Sequence, residues 1–275
     1  MEASKHNLKR FVVTGSSSGI GQALRLKYAE SPELFGGELI FDLDDWRLGS
    51  ELGSKFDNCL IIHLAHDRNL SFLENIAATE KLLKNIGAGS IYLSTISAHS
   101  NAKSKYGKSK YYMEKIFIGR GATVVKSGLI CSKNPTAMLN TLNTIVSRLA
   151  IIPLPFKGAN LFHLTDQDCL VFLITQLTNK SDNVTYRAFS TQSITFKQLL
   201  KDLAEKRGVI RFFIDLPSPL SSVLIGLISK FLGRFSFSDS LISLTNELDP
   251  RELLELAEYG VDFPPKPHLI KYNQH

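Results

Sequence analysis

Residues 11–21 read FVVTGSSSGIG, a short apolar run that ends in a glycine-rich turn. Apolar residues at helical spacing follow directly and continue to Ala29. The stretch therefore predicts a strand, a tight turn and a helix. Gly15 permits the turn, and Gly19 and Gly21 let the backbone approach a pyrophosphate at the helix N-terminus, where unpaired N–H groups attract anions.

An acidic residue follows the second apolar run. Asp42 stands 21 positions after Gly21, within ELIFDLDD at residues 38–45. A carboxylate there accepts hydrogen bonds from the adenosine ribose and repels a 2′-phosphate, which predicts NAD as the cofactor, with NADP as the alternative. Residues 38–58 hold one strand and one short helix, where a full doubly wound domain fits two strands. Asp42 and Leu43 are therefore expected beside either the ribose or the adenine.

A tyrosine and a lysine lie four residues apart in a helical pattern that runs to Phe117, because residues 106–110 read YGKSK. Positions i and i+4 share a helix face, so Lys110 is expected to stabilise the phenolate of Tyr106 and to lower its pKa from about 10. An isolated YxxxK is more often a solvated helix edge. Here it accompanies a dinucleotide turn, and the combination predicts a general acid or base in hydride transfer.

Two hydroxyl residues end the preceding strand. Residues 91–93 predict that strand, and Ser94 and Thr95 come at its C-terminal end, where open α/β sheets place their ligands. Thr95, helped by Ser94, is expected to bind the reacting oxygen of the substrate.

The composition is that of a globular protein, with 275 residues, 44% hydrophobic and 21% charged. The net charge of +6 is spread along the chain, which suits a small anionic ligand and argues against nucleic acid as a partner. Three cysteines, far apart and odd in number, predict reduced core residues in the cytoplasm. The polar N-terminus predicts no signal peptide, and the apolar residues 220–232 are too short to span a bilayer and predict a packed helix.

The alternation of strands and helices predicts an α/β fold with a Rossmann-type doubly wound parallel sheet in residues 1–130. From Cys131 the alternation weakens. Residues 134–149 and 168–177 predict helices, and residues 152–156 a proline-rich turn. We expect residues 131–275 to form mainly a cap that supplies the substrate pocket, with some segments returning to the Rossmann core.

With these motifs in hand, the chain resembles the short-chain dehydrogenase/reductase superfamily, and within it the extended branch of NAD-dependent nucleotide-sugar epimerases, dehydratases and 4-ketoreductases. The matching segments are IHLA at residues 62–65, IYLST at 91–95, YGKSK at 106–110 with Glu114, and VKSGLI at 125–130. PLPF at residues 153–156 and HLTDQD at 163–168 resemble members that act on UDP-N-acetylamino sugars for bacterial surface polysaccharides.

The chain also departs from the pattern of that branch. Ser18 replaces its middle glycine, so the turn has the Gly-xxx-Gly-x-Gly spacing of other short-chain enzymes. Lys126 and Ser127 stand where Arg-Pro is usual, and the basic residue usual directly before the 163–168 segment is absent at Leu161 and Phe162. The absence of that basic residue affects the usual binding of the substrate diphosphate.

The resemblance implies hydride transfer at hexose C4 of a nucleotide sugar, with Thr95, Tyr106 and Lys110 as the catalytic residues and Ser94 beside Thr95 at the substrate. It implies a cytoplasmic enzyme of polysaccharide biosynthesis without an integral membrane segment, and a homodimer is compatible with it. The residues expected at the dinucleotide are Gly15, Ser17, Ser18, Gly19, Ile20, Asp42, Leu43, Leu64, Ala65, Tyr106 and Lys110. The alternative is a dinucleotide-binding sensor or scaffold that has kept the fold and lost the chemistry.

Overall fold

The computed structural model describes residues 9–41, 43, 46–67, 70–132, 137–217, 220 and 257–258. Its strands, in chain order, are β1 (Lys9–Thr14), β2 (Gly37–Ile40), β3 (Leu60–His63), β4 (Ile91–Thr95), β5 (Thr123–Ser127), β6 (Leu129–Cys131), β7 (Ile151–Leu154), β8 (Leu161–Asp166), β9 (Thr185–Ala188), β10 (Ser193–Thr195), β11 (Phe212–Asp215) and β12 (Ala257–Glu258). Its α-helices are α1 (Gly19–Glu30), α2 (Phe72–Glu80), α3 (Lys105–Gly119), α4 (Ala137–Arg148), α5 (Gln167–Leu177) and α6 (Phe196–Lys206).

The main sheet contains seven parallel strands in the order β12-β9-β5-β4-β3-β1-β2. Helices cover both of its faces. On one face α1 and α5 pack together over Phe11, Val13 and Ile62, and on the other α3 buries Met113 and Phe117 against Tyr92. The predicted doubly wound α/β fold is confirmed, and its parallel strands bring their C-terminal ends to one edge.

Helix α2 begins earlier and ends earlier than the apolar spacing over residues 75–86 indicates. A capping box fixes its start, since Ser71 Oγ accepts from the Glu74 N–H and the Glu74 carboxylate accepts from the Ser71 N–H. Beyond the helix, Asn85 Nδ2 donates to the carbonyls of Phe56 and Cys59 at 2.6 and 3.1 Å. These bonds draw the following 3₁₀ turn (Leu83–Asn85) to the loop before β3 and stop the helix from continuing.

The interval between β2 and β3 is short. Its described residues hold a single isolated bridge between Leu48 and Ser50 and one 3₁₀ turn (Ser54–Phe56), and no further strand. Strand β2 is therefore the edge of the main sheet, as the single predicted strand in residues 38–58 suggests.

A second core lies beyond β5. It is formed by α4, β7, β8 and α6, with Leu142, Leu154, Leu164 and Leu199 fully buried. The chain then returns to the main sheet, where β9 pairs with β5 and β12 pairs with β9. The domain boundary near residue 130 stays a prediction.

The predicted proline-rich turn at residues 152–156 is in part a strand. Pro153 lies within β7, which pairs in parallel with β11, and the turn (Pro155–Gly158) follows it. The partner strand is about sixty residues away in the chain, so the local pattern carries no sign of it. Of the apolar residues 220–232, all but Leu220 lie outside the described residues. Within the described part, no helix has the length and apolar character needed to cross a membrane.

Candidate active site

The glycine turn after β1 is shaped by its contact with the end of β3. Gly15 has φ of +75°, and a Cβ at this position would lie 2.7 Å from the Ala65 backbone nitrogen. A larger residue is therefore excluded both by conformation and by space. The turn closes with a hydrogen bond from the Ser18 N–H to the Gly15 carbonyl at 2.9 Å.

Ser18, the residue in place of the middle glycine, is the N-cap of α1. Its Oγ accepts a hydrogen bond from the Gly21 N–H at 3.1 Å and so starts the helix. Next to it, Gly19 is exposed, and an added Cβ would meet only Gln167 Oε1, at 3.8 Å. Ile20 is buried and anchors the first turn. The open side of Gly19 thus lies at a helix N-terminus, which is suited to a phosphate group.

A cavity of about 590 Å³ adjoins this turn. It brings together four residues predicted from the sequence, Gly15, Ser17, Leu43 and Ala65. Its other lining residues are Ser16, Arg25, Phe41, Trp46, Arg47 and Leu48.

The cavity combines flat apolar groups with cations. The Arg25 guanidinium lies 5.2 Å from the centroid of the Phe41 ring, and Trp46 Nε1 donates to the Ser50 carbonyl at 2.9 Å. Sequence reasoning missed both aromatic side chains, although aromatic residues next to a predicted ribose-binding acid are a usable signal. Asp42 itself lies outside the described residues, so its placement stays a prediction.

The tyrosine helix α3 starts close against the loop that follows β4. Ser104 Oγ accepts from the Gly107 N–H at 2.9 Å and caps the helix. A Cβ on Gly107 would clash with the Ser97 carbonyl, so glycine permits the close approach. This contact sets Tyr106, the second residue of the helix, at the C-terminal edge of the sheet.

The segment after β3 links the glycine turn to the tyrosine. The Leu64 N–H donates to the Thr14 carbonyl at 3.1 Å, and Ala65 lies against Gly15. The next residue, His66, packs its ring edge-to-face with Tyr106, with centroids 4.9 Å apart. The two predicted halves of the site therefore meet through three consecutive residues. The sequence pattern carries no sign that His66 packs against Tyr106.

Lys110 is buried one helical turn after Tyr106. Its Nζ donates to the Leu93 carbonyl at 2.9 Å and lies 4.8 Å from the Tyr92 ring centroid. These contacts fix the ammonium at the end of β4. Burial and, to a smaller extent, the charge of Lys110 lower the pKa of His63 to about 3. His63 is therefore a neutral core residue, and its Nδ1 forms a hydrogen bond with Thr14 Oγ1 at 2.7 Å.

The two hydroxyls at the end of β4 have different partners. Thr95 Oγ1 accepts from the Ser97 N–H at 3.3 Å. Ser94 Oγ donates to Glu114 Oε1 at 2.5 Å, and the other carboxylate oxygen of Glu114 lies 3.3 Å from Lys126 Nζ. Burial raises the pKa of Glu114 to about 7, against the opposing influence of Lys126 and Ser94.

Solved structures of nucleotide-sugar enzymes share this fold. A dTDP-4-dehydrorhamnose reductase from Bacillus anthracis, in complex with NADP, matches with a TM-score of 0.61 and 16% identity over 77% of this chain and 86% of that chain. A UDP-N-acetylglucosamine 4-epimerase from Bacillus cereus matches with a TM-score of 0.58 and 16% identity, over 75% and 84%. A dTDP-glucose 4,6-dehydratase from Bacillus anthracis, in complex with NAD, matches with a TM-score of 0.61 and 12% identity, over 76% and 85%.

At these identities the likeness is one of fold, and the shared fold is the Rossmann-type doubly wound sheet. No family model matches the chain, and no curated protein sequence matches it. Within this fold, the glycine turn and the start of α3 lie at one edge of the sheet, which is the edge where open α/β sheets bind their ligands.

Proposed function

We propose that this protein is an NAD(P)-dependent enzyme that transfers hydride at C4 of a nucleotide-activated hexose, as an epimerase or a 4-ketoreductase. The observation that supports this most directly is the meeting of the glycine turn with the tyrosine helix, through Ala65 against Gly15 and His66 against Tyr106. A binding module has no need of a phenol and a buried ammonium at that place.

The residues present fit a dinucleotide. The open side of Gly19 at the start of α1 and the 590 Å³ cavity beside it offer a phosphate site joined to a pocket with aromatic walls. We assign the pyrophosphate to the first turn of α1, the adenosine to the cavity and the nicotinamide ribose to Lys110. The similar structures determined with NADP and with NAD support this assignment.

The protein residues then divide the chemistry among them. When bound, the nicotinamide ring supplies or accepts the hydride. Tyr106 gives a proton to the sugar oxygen, or takes one from it, as the carbon gains or loses hydride. Thr95 donates a hydrogen bond to the same oxygen and aligns it, and Lys110 stabilises the phenolate that remains when Tyr106 has given up its proton.

We assign the substrate to the space between this edge and the second core of α4, β7, β8 and α6, which we propose as the cap. Its 163–168 segment is part of β8 and the start of α5. A UDP-N-acetylamino sugar and a role in surface polysaccharide synthesis remain proposals that rest on the sequence resemblance.

The test is single-turnover transfer between a reduced dinucleotide and a 4-keto nucleotide sugar, followed by the nicotinamide absorbance, or the reverse reaction with the alcohol. Wild-type protein should turn over, and Tyr106→Phe should do so roughly 10²–10⁴-fold more slowly while binding the dinucleotide normally. A protein that binds NADH and NADPH yet transfers no hydride to any nucleotide sugar would instead be a sensor or scaffold.

A further inference from the structure

A buried network lies behind the two hydroxyls of β4. Glu114 stands on α3 four residues after Lys110 and eight after Tyr106, so the three side chains project from one side of the helix. The carboxylate accepts the Ser94 hydroxyl at 2.5 Å and lies 3.3 Å from Lys126 Nζ. Ser94 is 2% exposed and Glu114 4%, so neither reaches solvent to any useful extent.

The network joins three elements of the site. Ser94 and Lys126 are register partners in the β4–β5 pair, and Ser127 Oγ donates to the Ser94 carbonyl at 3.1 Å. Lys126 Nζ also donates to the Ala98 carbonyl at 2.6 Å, in the loop after β4. Glu114 therefore ties the tyrosine helix to the ends of both strands and, through Lys126, to that loop.

Ser94 and Thr95 differ in whether their hydroxyl proton is already used in a hydrogen bond. A hydroxyl has one proton to donate, and Ser94 gives it to a carboxyl oxygen of Glu114 in a short bond. Thr95 Oγ1 accepts from the Ser97 N–H. Among the residues that the structure describes, no hydrogen bond uses the proton of Thr95, which leaves it for a ligand.

Resting on the proposed hydride transfer, we propose that Glu114 is a positioning residue of the site. It holds the Ser94 hydroxyl away from the substrate and fixes the strand end, so that Thr95 alone presents its hydroxyl to the substrate oxygen. Ser94 then acts through Glu114, which differs from the substrate contact that the sequence predicts for it.

The experiment compares rates of single-turnover hydride transfer in Ser94→Ala, Glu114→Ala and the double variant, with Thr95→Ala as the reference. Thr95→Ala should slow transfer by roughly 10²-fold or more, as the loss of a donor to a reacting oxygen does. Ser94→Ala and Glu114→Ala should each slow it by about tenfold at unchanged KM, and the double variant should be no slower than the slower single one, because the two residues act as one unit.

Two further variants guard against a purely structural effect. Glu114→Gln should restore most of the rate lost in Glu114→Ala, since its amide oxygen still accepts the Ser94 hydroxyl. Ser109→Ala removes another buried hydroxyl of α3, one without a hydrogen-bond partner among the described residues, and serves as the matched control. Dinucleotide affinity, measured by calorimetry, should be the same in all variants.

Two results would overturn the proposal. One is a double variant whose rate loss is the product of the two single losses, and the other is a Ser94→Ala protein that transfers hydride as slowly as Thr95→Ala. Either result with an active wild type refutes this role alone. A wild type that binds the dinucleotide and transfers no hydride refutes the proposed function and this role together.

Discussion

Glu114→Gln should change how the stability of the protein depends on pH. Burial raises the pKa of the Glu114 carboxyl from 4.5 to about 7, although the ammonium groups of Lys126 and Lys110 and the Ser94 hydroxyl all favour the ionised form. Glutamine has nearly the shape of the protonated side chain and does not titrate. The difference between wild type and variant therefore isolates the ionisation of this one group.

The sign follows from proton uptake. Between pH 4.5 and about 7 the folded protein holds a proton on Glu114 that the unfolded chain has lost. The free energy of unfolding contributed by this group is therefore fully present below the lower pKa and declines as the pH rises through the higher one. At about 1.4 kcal/mol per pKa unit, the decline is on the order of 2 to 3 kcal/mol between about pH 5 and about pH 8.

The assay is urea unfolding followed by circular dichroism at those two pH values. Wild type should lose on the order of 2 to 3 kcal/mol relative to Glu114→Gln on going to the higher pH, because the other carboxyl groups titrate in both proteins and cancel. Glu80→Gln, at an exposed position in the last turn of α2, is the control and should give no such difference. A wild type that gains stability over the variant as the pH rises would refute the reasoning, since Lys126 would then outweigh burial.

The remaining predictions concern the proposed cofactor and the chemistry. Gly19→Val should weaken dinucleotide binding more than tenfold, on the order of 1.4 kcal/mol, because it fills the open side of the first turn of α1; unchanged affinity in calorimetry would remove the pyrophosphate from that turn. Asp42→Ala should relax discrimination against NADP(H) in the same assay if the carboxylate lies at the ribose, and equal discrimination would exclude that placement. Lys110→Met should reduce both dinucleotide affinity and transfer rate, whereas Tyr106→Phe should reduce the rate by roughly 10²–10⁴-fold and leave affinity intact; a Tyr106→Phe protein at the wild-type rate would remove the tyrosine from the mechanism.

The parts of the fold that could be predicted are those whose sequence signals lie in consecutive residues. The glycine turn, the apolar strands and the i, i+4 spacing of Tyr106 and Lys110 each occupy fewer than about a dozen positions, and parallel strands necessarily bring their ends together. The doubly wound sheet followed from these local signals. The pairing of β7 with β11 did not, because it depends on a partner about sixty residues away.

The candidate site shows the same division. Glu114 was recognised as part of a helix motif, and Lys126 as a departure from the usual arginine, but nothing in the sequence indicates that they share one carboxylate with Ser94. That arrangement depends on the register of β4 against β5 and on how deeply α3 sits over them. His66 was missed as a neighbour of Tyr106 for a related reason, since the contact joins the loop after β3 to the first turn of α3.

Most of the second core lies, in sequence, between β5 and β9, which are neighbours in the main sheet. This order affects truncated fragments and the incomplete chain during synthesis. Strand β5 ends at Ser127, and the strand beside it, β9, begins only at Thr185, after most of the second core has been made. A fragment that stops near residue 130 would leave the buried strand β5, with Val124 and Val125, as an unpaired edge. Such an edge is a template for pairing with other chains, so a truncated Rossmann half is expected to aggregate rather than to fold as a separate unit.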